Sequence, residues 1–211
     1  MQHNFQMADK IQFRLATAAD ITHSLPLLLS AGPQAFAYGF PDAAIDDPGF
    51  LGSAYADGAG FFGWRNHTVG LVDGAPVAIS AGYDFASYLR LSVEHTLQVW
   101  RYCPRSFFVP MMKRGWQLRS LMPSPSMSTH YLANFGVAKA LRGRGIGRAM
   151  LEYQRLVARR LGRQTMALDV SIENPRAQAL YQRFGLTVTH QNTFAGPDGR
   201  VADTLRMEMP V

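Results

Sequence analysis

Arg142-Gly143-Arg144-Gly145-Ile146-Gly147-Arg148 stands between a run that reads as a buried strand, residues 130–138, and a run that reads as an amphipathic helix, residues 146–161. Farther on, Asn174-Pro175-Arg176-Ala177-Gln178-Ala179-Leu180-Tyr181 opens a second helix after a short strand, residues 164–170. Glycines at 143, 145 and 147 strip side chains from the loop, so backbone N–H groups can approach an anion at the positive end of the helix dipole. Phosphate is the expected guest. The spacing fits neither of the two common nucleotide loops. A Walker loop needs Gly-Lys-Ser/Thr, which is absent, and a Rossmann fingerprint needs a third glycine where Arg148 stands. Four residues, Lys139-Ala140-Leu141-Arg142, also separate the strand from the first glycine.

In the helix that follows, Ile146, Met150, Tyr153, Val157 and Leu161 form an apolar stripe, with Arg148, Glu152, Arg155 and Arg159 on another face. Gly162 is the expected C-terminal cap. Arg159, Arg160 and Arg163 sit where the dipole is negative, so part of the basic surplus already has a structural role. Over 211 residues, Lys and Arg number 21 against 15 Asp and Glu. The surplus favours anionic ligands, but it is dispersed and lacks the interleaved aromatics of a nucleic-acid binder. The single cysteine, Cys103, excludes an internal disulfide, and the segment 1–7 lacks the apolar core of a signal peptide. No apolar run approaches the roughly 20 residues that span a bilayer. The expectation is a cytoplasmic protein without a membrane partner. His3, His23, His67, His95, His130 and His190 show no metal-ligand spacing, so no metal is expected.

Upstream, residues 11–15 alternate as a half-buried strand, and Thr17-Ala18-Ala19-Asp20 offers caps for a helix through Leu29. Residues 32–63 are rich in glycine, proline, alanine and aromatics, with weak helical spacing. The turn Asp73-Gly74 between residues 68–72 and 76–83 predicts a hairpin. Residues 86–122 have helical spacing broken at Pro104 and Pro110, then a loop, Met122-Pro123-Ser124-Pro125-Ser126. Two more strands, 186–190 and 204–209, flank the turn Pro197-Asp198-Gly199. The predicted fold class is α/β (α+β), a single domain over 1–211 built on one mixed sheet, with 86–128 as a helical and loop insertion.

These residues resemble the GNAT superfamily of acyl-CoA N-acyltransferases. Its motif Arg/Gln-x-x-Gly-x-Gly/Ala is matched by Arg142, Gly145 and Gly147, with Val137 five residues ahead. Its second signature, N-x-x-A-x-x-L-Y-x-x-x-G, is matched by Asn174, Ala177, Leu180, Tyr181 and Gly185. Together the matches cover 131–188. The resemblance implies a largely antiparallel sheet of six or seven strands, with a splayed central strand pair and flanking helices. It implies acetyl-CoA as co-substrate, its pantetheine bonded by the backbone of Phe135 and Val137. The pyrophosphate would be held by N–H groups of Arg142, Gly143, Arg144, Gly145, Ile146, Gly147 and Arg148, with Asn174 a further contact. Arg142 and Arg144 would add Coulombic attraction to the phosphates. Tyr181 would be the general acid that protonates the departing thiolate.

On spacing alone Tyr181 is a packed aromatic, and Asn174 with Pro175 is an N-cap followed by a first-turn proline. His130, Asn134 through a water, Glu94 and Asp169 remain candidates for a base, none assigned. Ala138 stands where family members often carry an acidic or polar residue. The acceptor implied is a small-molecule or protein amine. The aromatic and methionine-rich segments 36–64 and 100–116 suit an acceptor wall, a homodimer interface or simply core. The competing reading is a non-catalytic CoA-binding or regulatory module on the same fold.

Overall fold

The computed structural model describes residues 11–40, 49–196 and 201–211. The N-terminal segment and the Pro197-Asp198-Gly199 turn singled out above lie outside the described residues. In chain order the elements are β1 (Gln12–Leu15), α1 (Ile21–Ala31), α2 (Pro33–Gly39), α3 (Phe50–Asp57), β2 (His67–Val72) and β3 (Ala75–Tyr83). Then come α4 (Phe85–Tyr102), α5 (Arg105–Leu118), β4 (Thr129–Val137), α6 (Ile146–Arg160), β5 (Thr165–Ser171), α7 (Pro175–Phe184), β6 (Thr187–Asn192) and β7 (Thr204–Pro210). One open seven-stranded sheet runs β1-β2-β3-β4-β5-β7-β6. Among the described residues only β4 and β5 pair in parallel; every other neighbouring pair is antiparallel. This is the mixed, largely antiparallel sheet that the sequence and its family resemblance predict.

Alternation along β3 separates the two faces. Ala78 packs with Ile146 and Met150 of α6. Ile79, one residue on, packs with Leu27 and Leu28 of α1 and with Tyr55 of α3. Helices α1–α5 thus gather on one side, where Phe36, Phe50, Val99 and Met111 make a second core. On the other, α6 and α7 close over Leu132, Leu168 and Met207.

The hairpin turn has both Asp73 (φ 51°) and Gly74 (φ 79°) in the left-handed region, which matches the strand twist of a two-residue loop. The predicted stripe on α6 is rotated. Its buried face is Ile146, Met150, Leu151, Gln154 and Ala158, and Leu161 is exposed. Tyr153 instead stacks at 4.8 Å on Phe13. Two contacts explain the rotation: Gln154 is drawn inward by hydrogen bonds to His130 and Ser80. Gly162 (φ 64°) does end the helix, with Arg163 N–H bonded to the Ala158 carbonyl in a Schellman motif. Pro104 separates α4 from α5 as expected, but Pro110 lies inside α5. The carbonyl it leaves without a partner belongs to exposed Ser106 and can be hydrated.

Thr17 and Asp20 cap the entry to α1. Asp20 accepts from the Thr17 N–H at 2.7 Å and pairs with both guanidinium nitrogens of Arg14 at 2.7 and 2.8 Å. The Arg14 hydrogen bonds, against the opposing effect of burial, hold its carboxyl at about 2. An Asp20→Asn variant is expected to lose about 1–2 kcal/mol at pH 7. Because the folded value lies below the unfolded one, that contribution is complete above roughly pH 4 and is lost as the pH falls toward 2. Chemical unfolding at pH 7 and pH 3 should show the gap between variant and wild type narrowing.

Candidate active site

β4 and β5 pair only from Thr129↔Thr165 to Leu132↔Leu168. Beyond that row β4 stays with β3 as far as Val137, and β5 stays with β7 as far as Ser171. The two central strands therefore diverge at their carboxyl ends, leaving a cleft between adjacent parallel strands, where open sheets characteristically take ligands. The splay predicted from the family resemblance is present. A bulge accompanies it. Ile79 faces Gly136 and Ala81 faces Ala133, so Asn134 and Phe135 stand opposite Ser80 alone. Asn134 has φ 52°, and the extra residue bends β4 and interrupts its ladder.

The glycine loop sits at the mouth of the cleft because β4 leads into it through a short turn, Lys139–Leu141. Gly143 (φ 86°) and Gly145 (φ 83°) both take left-handed backbone, which an L side chain adopts only with strain. Gly145 is the N-cap of α6 and Ala149 N–H is bonded to its carbonyl. The N–H groups of Ile146, Gly147 and Arg148 thus precede the first intrahelical bond and point outward. A side chain on Gly143 would approach the Arg176 guanidinium at 3.5 Å, so a cation stands beside the loop. On Gly147 it would meet Leu180 at 3.0 Å, so this glycine lets α6 pack closely on α7. Arg142, Arg144 and Arg148 are all exposed. Arg142 donates from Nε to the Val137 carbonyl at 2.9 Å, which ties the loop to the strand end.

Asn174 caps α7, its side chain accepting from Ala177 N–H at 3.1 Å, with Pro175 in the first turn. This cap fixes the helix that carries Tyr181. Tyr181 lies among Leu132, Leu168 and Val170, at the walls of the cleft, and meets Phe135 edge-on at 5.9 Å. Burial pushes its phenol well above the ordinary value, so the group stays protonated and able to donate. The Tyr181 carbonyl accepts from both Gly185 and Leu186 N–H, closing α7 at Gly185 (φ 116°).

The four candidate bases are dispersed. His130 lies where β4 and β5 are still paired, with Nε2 2.9 Å from Gln154 Oε1. Glu94 accepts from Gly60 N–H and pairs with Arg90. Asn134 spends both amide hydrogens, on the Phe61 carbonyl (3.1 Å) and on His67 Nε2 (3.0 Å). Asp169 is the first β5 residue past the paired rows, and its side chain is 1% exposed. It accepts from Tyr131 O–H (2.8 Å), Asn192 (2.8 Å) and Arg206 Nε (3.0 Å). Sequence reading overlooked Arg206 and His67. A charged residue between Leu205 and Met207 in a strand that must pack was the available signal for the first. An open groove lined by Ser124, Ser126, Thr165 and His190 lies at the closed end of the β4–β5 pair, away from the cleft.

Residues 112–186 match the acetyltransferase (GNAT) family, and the splayed sheet is that family's fold. That match covers about a third of the chain, and the fold is the one that family shares. The matched segment runs from within α5 through the glycine loop and α7 to the residue after Gly185. The chain is 31% identical over 78 residues to the uncharacterized N-acetyltransferase YdgE of Bacillus subtilis (strain 168), covering 37% of this chain and 50% of that protein. It thus spans half the length of that relative. An N-acetyltransferase from Staphylococcus aureus Mu50 superposes with a TM-score of 0.70 at 16% identity, covering 94% of this chain and all of that one. A second acetyltransferase structure gives 0.67 at 20% identity, with 95% and 99% covered. At these identities the likeness is one of fold.

Proposed function

We propose that this protein is a GNAT acyl-CoA N-acyltransferase that moves acetyl from acetyl-CoA to a primary amine by direct attack. One observation carries the reading: the β4–β5 cleft opens at the glycine loop with Tyr181 in its wall. Two left-handed glycines, the free N–H groups opening α6 and the nearby Arg176 cation suit a pyrophosphate. In this reading Phe135 and Val137 offer backbone to the pantetheine arm, and N–H groups from Arg142 to Arg148 hold the phosphates. Arg142 and Arg144 add charge, and Asn174 is a further contact. Bond making joins the neutral amine nitrogen to the thioester carbonyl carbon, and bond breaking releases the thiolate, which receives its proton from Tyr181; the proton shed by the attacking nitrogen passes to solvent water, from which Tyr181 is reprotonated. A strand N–H polarises the carbonyl oxygen. No covalent enzyme intermediate is needed. The lone cysteine, Cys103, is buried with its thiol pushed up by burial, in keeping with a reducing, cytoplasmic setting and with no part in the chemistry.

Calorimetry with acetyl-CoA, followed by thiol detection of released CoA across a panel of small amines and amine-bearing peptides, tests the reading. Saturable binding with CoA release for at least one amine supports it. Binding without release across the panel favours the regulatory module, and no binding refutes both. Gly145→Val forces a β-branched residue to φ 83° at the N-cap. It is expected to weaken acetyl-CoA binding at least about tenfold, with folding retained by circular dichroism.

A further inference from the structure

We propose that His67 is a positioning residue for the acyl carbonyl. By gripping the Asn134 amide, it fixes the bulge that turns β4 backbone N–H into the β4–β5 cleft. The inference rests on the acyltransferase reading and names a part of that site which no signature motif contains.

Among the described residues only Asp73 and Asn134 are non-glycine with positive φ, and Asp73 is accounted for by its hairpin turn. Asn134 is in mid-strand, where left-handed backbone persists only if its surroundings enforce it. They do so through two hydrogen bonds from one side-chain nitrogen, to the Phe61 carbonyl and to His67 Nε2. His67 Nδ1 lies 2.8 Å from the Gly63 carbonyl, which can only accept. The proton must therefore sit on Nδ1, leaving Nε2 a lone pair for Asn134. His67 is fully buried, and burial lowers it to about 4, so the ring stays neutral and the polarity of this relay is fixed. Its anchor is equally fixed, since a Cβ on Gly63 would collide with the Ala59 backbone.

Sheet register explains how β2 reaches β4. His67, Ala81 and Ala133 stand in one row across β2, β3 and β4. Side chains in a row share a face, and Ala81 is small enough for the ring to pass over it to the neighbouring Asn134. The grip is also chemically selective. An aspartate at 134 would set its lone pairs against two acceptors, whereas the amide satisfies both. Without His67, Asn134 is free to return to ordinary extended backbone, and the bulge loses its enforced position.

Acetyl-CoA and CoA differ by the acetyl group, whose carbonyl the bulge would bind, so a change in the preference between them reads the bulge and needs no acceptor. Calorimetry on full-length protein is expected to give wild type about a tenfold preference for acetyl-CoA over CoA, the scale of one preorganised hydrogen bond to the carbonyl. His67→Phe should abolish the preference while CoA affinity stays within about twofold. Asn134→Gly alone should keep it, because glycine takes φ 52° without a grip. His67→Phe combined with Asn134→Gly should restore it, which a loss of general packing would not allow. A His67→Phe protein that still prefers acetyl-CoA overturns the inference, as does a double variant that is no better than the single one. If Asn134→Gly alone loses the preference, the inference also falls. Wild type that binds neither ligand removes the acyltransferase reading and the inference together. Wild type that binds both without discrimination removes only the inference.

Discussion

Arg206→Leu is expected to destabilise the fold by about 3–5 kcal/mol, because it leaves the Asp169 carboxylate buried without its cation. The Asp169 and Arg206 side chains are 1% and 5% exposed, and Arg206 also donates to the Pro123 carbonyl at 2.7 Å. Burial already raises Asp169 above the ordinary carboxylate value, against the opposing pull of Arg206, Tyr131 and Asn192. Removing Arg206 raises it further. A carboxyl whose folded value exceeds its unfolded value binds more protons when folded, so stability falls as pH rises through that interval. The deficit of the variant should therefore be largest at neutral and alkaline pH and should shrink as the pH is lowered and Asp169 protonates. Denaturant unfolding of wild type and variant between pH 5 and pH 8 measures this. A deficit below about 1 kcal/mol at pH 7, or one that grows on acidification, would refute the ion pair as a structural brace. The pair lies at the point where β5 leaves β4, in the Asp169↔Arg206 row, so it steadies the strand that forms one wall of the cleft.

How much of this could be read in advance depended on how local each signal was. The Asp73-Gly74 hairpin, the Asn174 cap and the Gly162 helix end are decided within a few residues, and each is where the sequence puts it. The splay came from the family resemblance, because divergence of β4 and β5 is set by a parallel pairing across the 27 residues, 138–164, of the intervening helix and loops. The rotation of α6 was hidden for a related reason. Gln154 is polar and reads as surface, yet it is buried at 2% exposure because Ser80 on β3 and His130 on β4 supply its partners. His67 and Arg206 were missed on the same ground: their partners, Asn134 and Asp169, are 67 and 37 residues away. The strain at Asn134 leaves no trace in composition beyond the tolerance of asparagine for left-handed backbone.

Tyr181→Phe is expected to lower turnover about 10²–10³-fold while acetyl-CoA affinity changes less than about threefold. Phenylalanine keeps everything the fold takes from this position. The ring stays among Leu132, Leu168 and Val170, the edge-on contact with Phe135 survives, and the backbone carbonyl still accepts from Gly185 and Leu186. Only the O–H is lost, so an effect confined to turnover isolates proton donation from packing. The pH dependence adds a second discriminator. Because burial raises the phenol, the proposed acid remains protonated beyond the ordinary tyrosine value of roughly 10. The wild-type rate should climb as the acceptor amine loses its proton, with no alkaline fall up to about pH 10. The variant should show the same rise at a lower plateau. An alkaline fall between about pH 8 and 9.5 in wild type that disappears in Tyr181→Phe would mean that the hydroxyl titrates as an exposed phenol does or lower. Unchanged turnover in the variant would reduce Tyr181 to a packed aromatic and return the search for the acid to the cleft's backbone and bound water.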